Sequence, residues 1–117
     1  MKVFNFENLT IYQRSLQFSQ NIYQLTQSWP REHLFGMTDQ LRRASLSIPL
    51  NIAEGSSKTK KDFRHFLLIA RGSCFECVPL LKIAASFKLL SAEQEQLFYN
   101  EISSISQMIS ALSKKLQ

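Results

Sequence analysis

The run Gln40-Leu41-Arg42-Arg43-Ala44-Ser45-Leu46-Ser47-Ile48-Pro49-Leu50-Asn51-Ile52-Ala53-Glu54-Gly55 repeats apolar residues at helical spacing. Leu41, Ala44, Ile48 and Ile52 form one apolar stripe, Leu46, Leu50 and Ala53 a second, and Arg43, Ser47, Asn51 and Glu54 a polar line between them. A helix that is apolar on two sides has two bodies to pack against. One is its own domain, and a second copy of the chain is the expected other. Pro49 falls inside this helix, so a kink between Ser45 and Pro49 is expected.

The rest of the chain carries the same period. Upstream, Ile11, Ser15, Phe18, Ile22, Leu25 and Trp29 predict a first helix from Asn8 as cap to about Ser28, ended by Trp29-Pro30. Thr38 is the predicted cap of the second helix, with Gly55-Ser56-Ser57 as its C-terminal stop. Downstream, Thr59 and Asp62 resemble a capping box, and Phe63, Leu67, Ala70, Cys74, Cys77, Leu81 and Ala84 alternate by four and three through Pro79. Ser91 with Gln94 opens a fourth helix, along which Phe98, Ile102, Ile105, Ile109, Leu112 and Leu116 keep the beat. No segment alternates with period two. The expected fold is all-α, one domain spanning residues 1–117, in an antiparallel up-down-up-down four-helix bundle.

Composition narrows the function classes. A chain of 117 residues with 44% hydrophobic content can bury a core without disulfides or metal. The start Met1-Lys2-Val3-Phe4 lacks the apolar run of a secretory leader, and no segment reaches the ~20 apolar residues of a membrane span. A cytoplasmic protein with no membrane association is expected. Most of the net charge of +5 lies between residues 31 and 71, which points to a polyanionic partner. Lys58, Lys60, Lys61 and Arg64, joined by Arg42, are the candidate phosphate contacts, with Phe35 or Tyr99 available to stack on bases.

The chemistry-bearing residues suggest no enzyme. Cys74 and Cys77 lie on the core-facing repeat and have no second pair to complete a zinc site. His33 and His65 have no partner arrangement of a triad or dyad, and the three glycines are scattered, so no catalytic residue, metal or cofactor is expected. A charge among apolar stripes must be paired. Arg43 and Arg71 are therefore expected to neutralise Glu54 and Glu76, with Ser47 and Asn51, in a structural polar network at a bundle or subunit seam.

Phe35-Gly36-Met37-Thr38, Arg42-Arg43-Ala44, Ser47-Ile48-Pro49, Asn51-Ile52-Ala53-Glu54-Gly55, Phe66-Leu67, Ile69-Ala70 and Gly72-Ser73, with Glu76, resemble the signature of a known family. It comprises four-helix bundle proteins encoded in intervening sequences of bacterial 23S ribosomal RNA genes. The likeness extends to Leu9–Tyr12 and Trp29-Pro30, and departs at Cys74, Cys77 and Lys58. The resemblance implies a left-handed bundle assembled as a homopentameric ring, without enzymatic activity. It also implies kinship with the accessory proteins of diversity-generating retroelements, which contact nucleic acid and a reverse transcriptase. On this reading the partners are further copies of the chain, RNA or DNA, and a reverse transcriptase or other protein.

Overall fold

The computed structural model describes residues 4–117; residues 1–3, on which the expectation of no secretory leader partly rests, lie outside the described residues. Four long helices make up the chain: α1 (Thr10–Thr26), α2 (Asp39–Ser56), α3 (Lys60–Ser86) and α4 (Ala92–Lys115). No strand occurs among the described residues. The helices touch in cyclic order, α1 on α2, α2 on α3, α3 on α4 and α4 back on α1, so they close around one core. None is long and apolar enough to cross a membrane.

The apolar beat read from the sequence is the core. Ile11, Phe18 and Ile22 of α1, Leu41, Ala44, Ile48 and Ile52 of α2, Leu67, Ala70, Cys74 and Cys77 of α3, and Ile102, Ile105 and Ile109 of α4 are all buried. The Leu, Ile and Phe side chains among these contribute about 1.5–3 kcal/mol each when fully removed from water. Small buried residues, Ser15 and Ser19 on α1 and Ala70, Cys74 and Cys77 on α3, lie on the inward faces of their helices. Trp29 closes one end of the core, where its indole Nε1–H donates to the Leu89 carbonyl at 2.9 Å and ties the chain after α1 to the chain after α3.

Two expected helix boundaries are corrected and a third is borne out. Asn8 does not cap α1: it ends a 3₁₀ turn over Asn5–Asn8, and Leu9, extended and packed on the core, takes the cap position. Nor does Thr38 cap α2. Its backbone is already helical, because a 3₁₀ turn (Arg31–His33) and a π turn (Leu34–Thr38) feed into the helix without a break. The expected stop over Gly55-Ser56-Ser57 is where α2 ends. The helix runs on to Ser56, and Gly55 serves close packing: a Cβ there would lie 2.6 Å from the Phe66 Cβ and 3.0 Å from the Phe63 ring.

The caps of α3 and α4 follow the sequence. Thr59 accepts the Asp62 N–H at 3.2 Å, and Ser91 with Gln94 forms both halves of a capping box. Where α3 ends, Lys88 adopts φ 61°, while the Leu89 N–H reaches the Ala84 carbonyl at 3.0 Å and the Lys88 N–H the Ala85 carbonyl at 2.9 Å. This is the left-handed helix ending that glycine ordinarily occupies, taken here by a side chain that disfavours it.

Gly55 and Lys88 therefore predict opposite responses. Gly55→Ala overpacks the α2–α3 contact and should lower stability by about 1–3 kcal/mol. Lys88→Gly relieves the left-handed backbone and should raise it by about 0.5–1 kcal/mol. Denaturant unfolding followed by the fluorescence of Trp29, the only tryptophan, reads both.

Candidate nucleic-acid interface

Only Ser57, Lys58 and Thr59 separate α2 from α3, and this tight connection gathers the basic residues. Lys58, Lys60 and Lys61 are exposed, and Arg64 is half-buried. On α3, Lys60 and Arg64 share a face one turn apart, and Arg71 follows two turns further on the same side. The Nε atoms of Arg64 and Arg71 are both buried without a hydrogen-bond partner. The Arg71 guanidinium also lies over the Phe75 ring, its carbon 4.6 Å from the centroid. The stripe Lys60, Arg64, Arg71 thus carries donors that the chain itself leaves unused.

Beyond Arg71 the stripe opens into a groove of about 630 Å³ between α3 and α4, its walls including Phe75, Val78, Tyr99, Ile102, Ser106 and Lys114. Lys114 and the following Lys115, in the last turn of α4, add cations that sequence reasoning missed. Their signal was the register of α4 against α3, which no local pattern reports. Of the two aromatics offered for stacking, Tyr99 lies in this groove, half exposed. Phe35, 90% exposed, stands on the turn that precedes α2, at the other end of that helix.

Arg42 does not join the cluster. It occupies the first turns of α2, roughly 20 Å along the helix axis from Ser56 at 1.5 Å per residue. Its Nε donates to Thr26 Oγ1 at 2.8 Å and its guanidinium covers the Tyr23 ring at 4.9 Å, so it braces α2 on α1.

The polar network closes differently from expectation within one chain. Arg43 pairs with Asp39 one turn back, and hydrogen bonding to that guanidinium holds the Asp39 carboxyl below its usual range. Glu54 is three turns from Arg43, beyond its reach; Glu54 and Glu76 are exposed, and among the described residues no ion pair joins them to Arg43 or Arg71. What forms is a bridge of neutral groups. Asn51 Nδ2 donates to the Ser47 carbonyl and hydroxyl at 2.8 and 2.9 Å, and Ser73 Oγ of α3 donates to Ser47 Oγ at 2.9 Å. A second tie missed from sequence is the two-pronged contact of Arg14 with Glu101, at 3.0 and 2.6 Å, between α1 and α4.

In chemical terms the site offers fixed cations, hydroxyls and aromatic faces. Among the described residues no group of three or more His, Cys, Asp and Glu converges as a metal site requires. Burial pushes the Cys74 thiol up to about 12 and raises Cys77 as well. At pH 8 a thiol of that acidity is ionised to only about one part in ten thousand. Iodoacetamide should leave both cysteines unmodified in the folded protein at pH 8 and alkylate both in guanidinium chloride. Mass spectrometry showing prompt labelling of native protein would contradict the buried placement.

Comparison with known proteins places this geometry. The family model of the 23S rRNA-intervening sequence protein matches residues 7–111. A crystal structure of a protein of unknown function from the S23 ribosomal protein family of Bacteroides thetaiotaomicron superimposes with a TM-score of 0.82 and 25% identity, covering 89% of this chain and 95% of that one. No curated protein matches the chain.

Proposed function

The chain belongs to the 23S rRNA-intervening sequence protein family, and on that footing we propose that it acts without catalysis, as an oligomeric accessory or scaffold that associates with RNA or DNA phosphates. The observation that carries the reading is the alignment of Lys60, Arg64 and Arg71 on one side of α3, with Lys58 and Lys61 beside its start, their charges free of ion pairs among the described residues. Cations in such a row neutralise phosphates without reading sequence. Arg42, engaged with α1, is a positioning residue in this reading and not a phosphate contact.

Two features support an antiparallel bundle that assembles with copies of itself. Contacts between α2 and α3 run in opposite sense, Ser47 with Ser73 and Gly55 with Phe66. The second apolar stripe of α2 faces away from its own core, with Leu46 37% and Leu50 57% exposed, and α3 likewise exposes Leu68 and Ile69. A further copy covers such a surface most simply. The resemblance to ring-forming relatives sets the proposed number at five.

Electrophoretic retardation of a structured RNA and a duplex DNA across a salt series tests the proposal. Both should shift at low salt, with affinity falling linearly on a log–log plot, and the double variant Lys60→Gln, Lys61→Gln should reduce the slope by about two. Absence of any shift at low salt would overturn it. Partners that then survive nuclease treatment in a pull-down would favour a protein scaffold that does not touch nucleic acid. Light scattering should give a multiple of the 13.5 kDa subunit mass; a single subunit at micromolar concentration would remove the assembly.

A further inference from the structure

We infer that the groove between α3 and α4 is a nucleotide-binding site for single-stranded nucleic acid, taking one unpaired base against Phe75 and Tyr99 while Arg71 and Lys114 hold the adjoining phosphates. This inference rests on the nucleic-acid reading above and goes beyond it, because a row of surface cations alone does not distinguish single strands from duplex.

Four observations meet at this place. The groove, at about 630 Å³, falls within the range of roughly 300–1,000 Å³ typical of small-molecule sites. It presents two aromatic rings that the core does not use, Tyr99 at 49% exposure and Phe75 at 57%, the latter with the Arg71 guanidinium over one face. A base has a π face that stacks on such rings whatever its identity. Hydroxyls stand beside the rings, Ser103, Ser106 and Ser110 along α4, and can meet the polar edges of a base. Arg71 and Lys114 line the groove with charges that enter no ion pair among the described residues, so an anion there would meet two uncompensated cations.

Continuity with the cationic stripe gives the ligand its polymeric character. Arg64 precedes Arg71 by two turns and Lys60 precedes Arg64 by one, so a strand whose base enters the groove can lay its backbone along Arg64 and Lys60. A duplex cannot do the same, since its bases are stacked and paired and their faces are closed. The groove thereby adds a preference for unpaired strands to a rim that otherwise attracts any polyanion.

Fluorescence anisotropy with a labelled uridine 20-mer and a blunt RNA duplex of equal length tests this, using the full chain at fixed low salt. Ser106→Trp fills the groove, and Tyr99→Ala removes a stacking face from a half-exposed position. Each should weaken single-strand binding about tenfold, in line with the worth of one stacked base, and leave duplex binding within twofold. Lys60→Gln should weaken both. A photo-crosslink from 4-thiouridine should map to the peptides that hold Phe75 or Tyr99. Unchanged single-strand affinity in Ser106→Trp and Tyr99→Ala, with helicity intact, would overturn the site while leaving the basic rim standing. Failure of the wild-type chain to bind either nucleic acid would overturn both. A lower assembly mass for Ser106→Trp would assign the groove to a seam between copies and likewise overturn the site.

Discussion

The contact of Gly55 with Phe66 and Phe63 is the constraint on which the other placements depend. With no Cβ at position 55, the α2 backbone comes close enough to α3 for the Phe66 Cβ to occupy the space a side chain would need. Farther along the same pair, the hydroxyls of Ser47 and Ser73 meet at 2.9 Å. Small residues at both points set the separation and the register of the two helices together. Once α3 is locked with Leu67, Ala70, Cys74 and Cys77 inward, the 3.6-residue period leaves Lys60, Arg64 and Arg71 on one side of it. The basic stripe is thus a consequence of how α3 packs, and α4 need only bring Lys114 alongside.

Much of this was legible in the sequence because apolar periodicity reports burial directly. The first stripe of α2 entered the core residue for residue, those of α3 and α4 did so except for the partly buried Phe63, Phe98, Leu112 and Leu116, and the Thr59 and Ser91 caps formed where their side chains predicted. What misled were local signals that tertiary packing outweighs. Asn8 and Thr38 are good cap residues in isolation. Asn8 lies in a 3₁₀ turn and leaves the cap position to core-packed Leu9, and Thr38 is entered from a preceding helical turn.

The candidate site was legible only in part, and the reason is distance along the chain. Lys58, Lys60, Lys61 and Arg64 are neighbours in sequence, so their cluster survives folding. Arg42 was grouped with them on charge alone, although the length of α2 and its bond to Thr26 hold it elsewhere. The Asp39–Arg43 pair was readable from its one-turn spacing, yet pairing by charge across the chain was preferred to the nearer partner. Arg71 with Lys114, and Phe75 with Tyr99, come together only through the α3–α4 register. No window of sequence contains both members of either pair.

Charge segregation along the molecule follows from where the acids are used. Glu101 is spent on Arg14, Asp39 on Arg43, and Glu95 lies 3.8 Å from Lys82. Glu93 and Glu95 occupy the first turn of α4, where they complement the helix dipole, while Lys114 and Lys115 complement it at the last. Of the acids, only Asp62 falls within the run from Lys60 to Arg71. Like charges one turn apart repel by a few tenths of a kcal/mol, a cost the packed core absorbs easily but does not remove. Solvent screens the exposed ammonium groups. It does not reach the Nε–H groups of Arg64 and Arg71, which are buried against the protein without an acceptor. The stripe therefore keeps the charges of Lys60, Arg64 and Arg71 free of ion pairs among the described residues, with Arg71 set against the Phe75 face.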